Sequence, residues 1–260
     1  MTTIKQQWTV FLIALGFLTR IPIGTIDFSP DKLNQASRYF ALVGTIIGLV
    51  CAAVVWILSQ ILDQPTAIFM AMIVGFYLTG GFHEDGLADV CDGFGGGYTA
   101  QKKLTIMKDS RLGTYGTLGL FSALGLKFLL LCQLANPMLA LILMHTLSRA
   151  TATSIIYSSR YATADLASKT KPLAQQMTTT SLIVIVLTSL LVLVLLNTTY
   201  LSALHSLILI AVCLAARQLL IQWFEHHLGG YTGDCLGFAQ QIIEILGYLT
   251  LILVLGKLHV

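Results

Sequence analysis

Apolar residues run along this chain in solid blocks rather than in alternation. Stretches near 39–61, 66–82, 116–134, 138–158, 181–200, 203–223 and 236–256 are each roughly 17 to 23 residues long, close to the ~20 that cross bilayer hydrocarbon as a helix. Barrel strands would instead alternate over about ten residues. An eighth stretch, near 8–26, is broken by Arg20 and Pro22 and is expected either to cross or to enter and return. The pattern predicts an all-α, polytopic integral membrane bundle of about seven spans plus this N-terminal segment, forming one membrane-embedded domain over 1–260. A hydrophobic fraction of 56% excludes an ordinary soluble domain of this size. The first apolar stretch lacks a small-residue cleavage site and reads as part of the mature protein rather than a signal peptide.

The polar connections differ in character. Those near 62–65, 135–137 and 201–202 are short and almost uncharged. Those near 27–38, 83–115 and 159–180 are long and hold Lys32, Arg38, Lys102, Lys103, Lys108, Arg111, Arg160, Lys169 and Lys171. Basic residues favour the cytoplasmic side, so the long loops are expected there, and the loop near 224–235 joins them by parity. Every conspicuous polar cluster then lies on one face of the membrane. A net charge of +3 without a basic tract gives no sign of nucleic-acid binding. Cysteines 51, 91, 132, 213 and 235 form no CxxC pair and read as apolar packing residues rather than disulfides or a zinc site.

The chemistry concentrates in three polar segments. In His83-Glu84-Asp85-Gly86-Leu87-Ala88-Asp89-Val90-Cys91-Asp92-Gly93, four of the chain's 12 acids fall within nine residues. On a helix Asp85, Asp89 and Asp92 stand at i, i+4 and i+7 and share a face, where like charges call for a cation. A divalent metal holding phosphate oxygens fits that need, and the neighbouring glycines, Gly93 among them, allow close approach of a ligand. In Lys108-Asp109-Ser110-Arg111-Leu112-Gly113, Arg111 can grip phosphate with two parallel bonds, Lys108 adds a point charge and Asp109 a further metal ligand. In Gly229-Gly230-Tyr231-Thr232-Gly233-Asp234-Cys235, a glycine-rich turn enters a helix, with Gly233 suited to phosphate and Asp234 read either as metal ligand or as helix N-cap. Arg149, in mid-span, is expected to answer the acidic cluster or a substrate phosphate. Glu244, deep in the last span, should face the bundle interior. Lys102 and Lys103 read as interfacial anchors, and Asp165 with Lys169 as an ordinary loop pair.

With these segments in view the chain resembles the cobalamin synthase family, the adenosylcobinamide-GDP ribazoletransferases, over nearly its full length. The resemblance rests on Phe17-Leu18-Thr19-Arg20-Ile21-Pro22, Tyr39-Phe40-Ala41-Leu42-Val43-Gly44 and the His83 segment. It rests also on Met107-Lys108-Asp109-Ser110-Arg111-Leu112-Gly113 and Thr232-Gly233-Asp234-Cys235-Leu236-Gly237. Two positions depart from it: Ala41 stands where a proline is expected, and Gln240-Gln241 follow Phe238-Ala239 where a small residue and an acid are expected. The resemblance implies that adenosylcobinamide-GDP and α-ribazole, or its 5′-phosphate, give adenosylcobalamin, or its phosphate, and GMP. It implies Mg²⁺ and the bacterial inner membrane. It leaves open a homo-oligomer or a complex with other cobalamin-assembly enzymes. An alcohol oxygen would attack a diphosphate held by metal on Asp85, Asp89 and Asp92 while Arg111 and Lys108 stabilise the leaving phosphate. His83 or a carboxylate would take the alcohol proton, Glu84 being preferred because it adjoins the metal face but turns off it. A CDP-alcohol phosphotransferase is the alternative, although Asp89 stands where its motif needs arginine. A cation transporter is the other, although no matching acidic patch exists in a second half.

Overall fold

A computed structural model describes residues 4–26, 29–162, 174–197 and 200–256, and the Asp165–Lys169 pair lies outside them. Among the described residues the only β-structure is one isolated bridge, Tyr161 to Tyr231. The helices are α1 (Ile4–Leu18), α2 (Pro30–Ala36), α3 (Phe40–Leu58), α4 (Gln64–Thr79), α5 (Phe82–Gly96), α6 (Ala100–Met107), α7 (Thr114–Gln133), α8 (Pro137–Thr153), α9 (Ile155–Ser158), α10 (Thr179–Asn197), α11 (Ala203–Leu228) and α12 (Gly233–Leu255). Six helices are individually long and apolar enough to cross a membrane, and α4 with α5 passes only jointly, as a pair bent by 88°. Counting α4 as the span of that pair gives the seven spans expected, with boundaries close to the hydropathy blocks.

The N-terminal stretch does not cross. Gln7, near its start, accepts a hydrogen bond from the Tyr39 hydroxyl at 2.8 Å, and Arg20, just past its end, donates its backbone N–H to Leu78 at 2.8 Å. Tyr39 begins one span and Leu78 nearly ends another, so α1 lies across the end of the bundle where those two spans meet.

Burial sorts the spans into centre and rim. The best window of α8 is 83% buried and that of α12 61%, against 22% for α10 and α11. Between lipid-soluble helices there is little hydrophobic drive, so close backbone approach carries the packing. Gly44 and Gly48 on α3 supply it against α8: a Cβ at Gly44 would stand 2.2 Å from the His145 carbonyl oxygen, and one at Gly48 2.7 Å from the Ile142 Cα.

The bend between α4 and α5 has a local cause. Gly80 and Gly81 both adopt φ near +69°, a left-handed conformation that glycine takes at little cost. The chain therefore turns through a right angle at the membrane edge, and α5 leaves the span to lie across the end of the bundle. Ala41 occupies the first turn of α3, where a proline is also tolerated, so that departure from the family motif is structurally mild.

Candidate active site

The polar segments converge at one end of the bundle around an open cavity of about 450 Å³. Asp85 and Asp89 line it from α5, Lys108 to Leu112 from the α6–α7 loop, Tyr161 from the segment after α9, and Thr232, Gly233 and Asp234 from the start of α12. The parity argument for a shared face is met in space. Two glycines bring the acidic walls together. A Cβ on Gly86 would lie 2.8 Å from the Asp234 carbonyl oxygen, and one on Gly237 would lie 3.2 Å from that of His83.

Asp234 is not the N-cap of α12. Thr232 holds that position, its hydroxyl accepting from the Cys235 N–H at 3.3 Å. The Asp234 carboxylate is thereby left to face the cavity. Asp85 sits on the exposed side of α5 and Asp89 is half-buried one turn on. Burial, and then the like charges of Asp234, Asp85 and Asp92, push Asp89 up to about 7. Such mutual repulsion is relieved by a bound cation.

Asp92 departs from the expected metal face. Its carboxylate accepts the Gly113 N–H at 2.7 Å and the Gly116 N–H at 2.8 Å, two of the otherwise unpaired donors at the start of α7. Any side chain at Gly113 or Gly116 would collide with it, since a Cβ at either would come within 2.4 Å of a carboxylate oxygen. Helical spacing put Asp92 on the right side of α5. The neighbouring α7 then claimed it as a cap.

Asp109 is likewise engaged. Arg111 binds both its oxygens, with Nε to Oδ1 at 3.0 Å and NH2 to Oδ2 at 2.6 Å, and those bonds hold its carboxyl down at about 2. The Arg111 side chain is 87% exposed on the cavity rim, and Lys108 is exposed beside it. Both cations are placed to meet an anionic group entering from water.

Four expected residues turn elsewhere. Gly93 packs on α6, where a Cβ would stand 2.5 Å from the Met107 side chain, outside the cavity. His83 is buried, and its Nδ1 has no hydrogen-bond partner within the protein. Glu84 points into the bundle, accepting from the Gln241 amide at 2.8 Å. Arg149 is buried too, with NH1 2.8 Å from the His145 Nδ1, and so answers neither the acidic cavity nor its rim. Lys103, read as an interfacial anchor, is instead buried with its ammonium 5.4 Å from the Phe94 ring centre.

Behind the cavity lies a charged cluster that the sequence reading left incomplete. Lys127 of α7 pairs with Glu244 of α12 at 3.0 Å, their side chains 5% and 1% exposed. Tyr248 donates to the same carboxylate at 2.9 Å, and Gln240, also a Glu244 donor, reaches Ser148 on α8 at 2.9 Å. Gln240 and Gln241 donate to Glu244 and Glu84, so both amides are engaged inside the bundle. The signal for Lys127 was present. It stands 13 residues into α7 and Glu244 11 residues into α12, roughly 20 and 17 Å from the same end of the bundle at 1.5 Å per residue.

The cavity offers the carboxylates of Asp85, Asp89 and Asp234 as oxygen donors. Among the described residues no group of three or more His, Cys, Asp or Glu side chains is placed to hold a metal ion. Mg²⁺ does not ask for such a group: it keeps several waters and is held by one or two carboxylates together with substrate phosphates.

A family model described as cobalamin-5-phosphate synthase matches residues 10–252. A protein of Shewanella sp. (strain W3-18-1) named adenosylcobinamide-GDP ribazoletransferase is 49% identical, the match covering 96% of this chain and 97% of its own. A protein of Shewanella amazonensis with the same name is 48% identical, over 97% and 98% of the two chains. A third, of Shewanella oneidensis, is 46% identical over 98% and 99%. No solved structure matches the chain.

Proposed function

The chain belongs to the cobalamin-5-phosphate synthase family, and from that premise we propose that it joins adenosylcobinamide-GDP to α-ribazole, or its 5′-phosphate, releasing GMP. The observation that carries this reading is the meeting of Asp85, Asp89 and Asp234 with Lys108 and Arg111 around one open cavity at a membrane face. The family does not favour the lipid-enzyme and transporter alternatives.

In the transfer, the alcohol oxygen of ribazole forms a bond to the phosphorus on the cobinamide side of the diphosphate. The bridging P–O bond breaks, and GMP departs with the bridging oxygen. Asp85, Asp89 and Asp234 line the cavity, and one or two of these carboxylates together with the substrate phosphates would hold Mg²⁺; of the expected metal set, Asp92 is engaged with the start of α7 and Asp109 with Arg111. When bound, the ion supplies charge neutralisation across the diphosphate oxygens. Lys108 and Arg111 steady the leaving phosphate from the rim. The alcohol proton passes to a carboxylate of the cavity set, because His83 and Glu84 do not line it. Thr232 and the turn at Gly233 keep the first turn of α12 aimed at the same place.

The reading includes the bacterial inner membrane with this face toward the cytoplasm. It is supported by the basic residues gathered at the site end and by the small charge of the opposite loops. The test is purified protein with adenosylcobinamide-GDP, α-ribazole and Mg²⁺. Cobalamin and GMP should form in equal amounts, and Asp234→Asn should lower turnover at least a hundredfold with unchanged thermal stability. A folded preparation that releases no GMP refutes the function. Near-normal turnover by the variant refutes the metal role of Asp234.

A further inference from the structure

A second cavity, of about 380 Å³, opens on the flank of the bundle between α8, α10 and α11, away from the acidic site. Its walls are almost wholly apolar, including Leu147, Leu193 and Ile210. Leu190 and Leu214, 44% and 55% exposed, stand at its lateral opening. Among the described residues one charge lines it, Arg217. The guanidinium donates from Nε to the Ser154 hydroxyl at 2.6 Å, and from NH2 to the Ser154 carbonyl at 2.9 Å and to the Ser158 hydroxyl. These acceptors are neutral, and among the described residues no acidic side chain pairs with Arg217.

The position of this cation is set by its partners. Ser154 and Ser158 close α8 and α9 at the site end of the bundle, so Arg217 lies at headgroup depth on the same side as the acidic cavity. From there to Ile210 is seven residues of α11, about 10 Å, within the roughly 15 Å of hydrocarbon in one leaflet. A cation with no acidic partner among the described residues tops an apolar slot on the flank of the bundle. We infer that this slot binds one anionic phospholipid of the site-side leaflet, an acyl chain between α10 and α11 and the phosphate on Arg217. The phosphate supplies a counter-charge that no described side chain provides, through charge-assisted hydrogen bonds.

The lipid also touches the catalytic end through the chain. Arg217 fixes Ser158, and three residues later Tyr161 lines the acidic cavity. The Arg160 carbonyl and Ala162 N–H on either side of Tyr161 pair with Tyr231, next to Thr232. A filled slot therefore braces one wall of the site.

Native mass spectrometry of the delipidated full-length protein, titrated separately with dioleoyl-phosphatidylglycerol and dioleoyl-phosphatidylcholine, tests this. The first phosphatidylglycerol should bind about tenfold more tightly than phosphatidylcholine, a difference of about 1.4 kcal/mol. Arg217→Gln should abolish that preference and Arg217→Lys should keep part of it. Ser189→Phe fills the slot from α10, where the serine hydroxyl bonds only its own helix, and should weaken both lipids. Should Arg217→Gln fail to fold, Ser189→Phe carries the test. Equal affinity for the two lipids in the parent protein overturns the inference. So does unchanged lipid retention in Ser189→Phe, or a lipid-free dimer in place of the lipid adduct.

Discussion

Replacing Lys127 by methionine would leave Glu244 charged and without its ammonium partner in the middle of the bundle. At 3.0 Å the pair's attraction is about 5.5 kcal/mol for an effective dielectric of about 20. The desolvation of both ions opposes it, so the intact pair contributes little net stability. Breaking it is different, because one partner's removal leaves a buried charge uncompensated, at a cost of about 3 to 5 kcal/mol. Tyr248 and Gln240 still donate to the carboxylate. The expected loss is therefore near the lower end, about 3 kcal/mol. Adding Glu244→Gln, which keeps the hydrogen-bonding shape and removes the charge, should recover most of it. Thermal unfolding of the four proteins in one detergent gives the double-mutant cycle. A Lys127→Met variant within about 1 kcal/mol of the parent would refute this reasoning, as would a double variant no more stable than the single.

Glu84→Gln should retain turnover within about tenfold, since the side chain faces Gln241 rather than the cavity; a loss above about a thousandfold would restore Glu84 as the proton acceptor. Asp92→Ala should cost about 2 to 3 kcal/mol in thermal unfolding, through two lost charge-assisted bonds to the start of α7, while the Mg²⁺ concentration for half-maximal rate stays unchanged. A shifted Mg²⁺ dependence would return it to the metal set. Because Asp89 is pushed up to about 7, protons compete with the ion there below that pH. The Mg²⁺ concentration for half-maximal rate should rise as pH falls from 8 to 6, and a flat profile would count against Asp89 as a ligand.

Hydropathy made the spans legible because each had to satisfy the same bilayer thickness. It could not decide the fate of α1, since a broken apolar stretch suits both a crossing and an interfacial helix. Only the contacts of Gln7 and Arg20 with span ends at one side resolve it. Within the site, Asp85, Asp89 and Asp234 were visible as acids in a chain poor in charge. The rank of Asp92 depended on α7, a helix that helical spacing within α5 cannot see. The cap of α12 is a local matter, lying at Thr232, two residues before Asp234. Lys127 escaped notice because one lysine barely changes a window average, although its depth matched that of Glu244.

The glycine elbow after α4 has a consequence for what can be a substrate. Because α5 runs across the end of the bundle instead of down its axis, exposed Asp85 and half-buried Asp89 line a cavity that opens at that end. A reactant need not fit through a pore or partition into lipid to be handled there. A molecule far larger than the cavity can stay in water and lower only a slender anionic tail to the membrane surface. The elbow thus leaves the acidic face open at one end of the bundle, so the bulk of a reactant can lie outside the cavity.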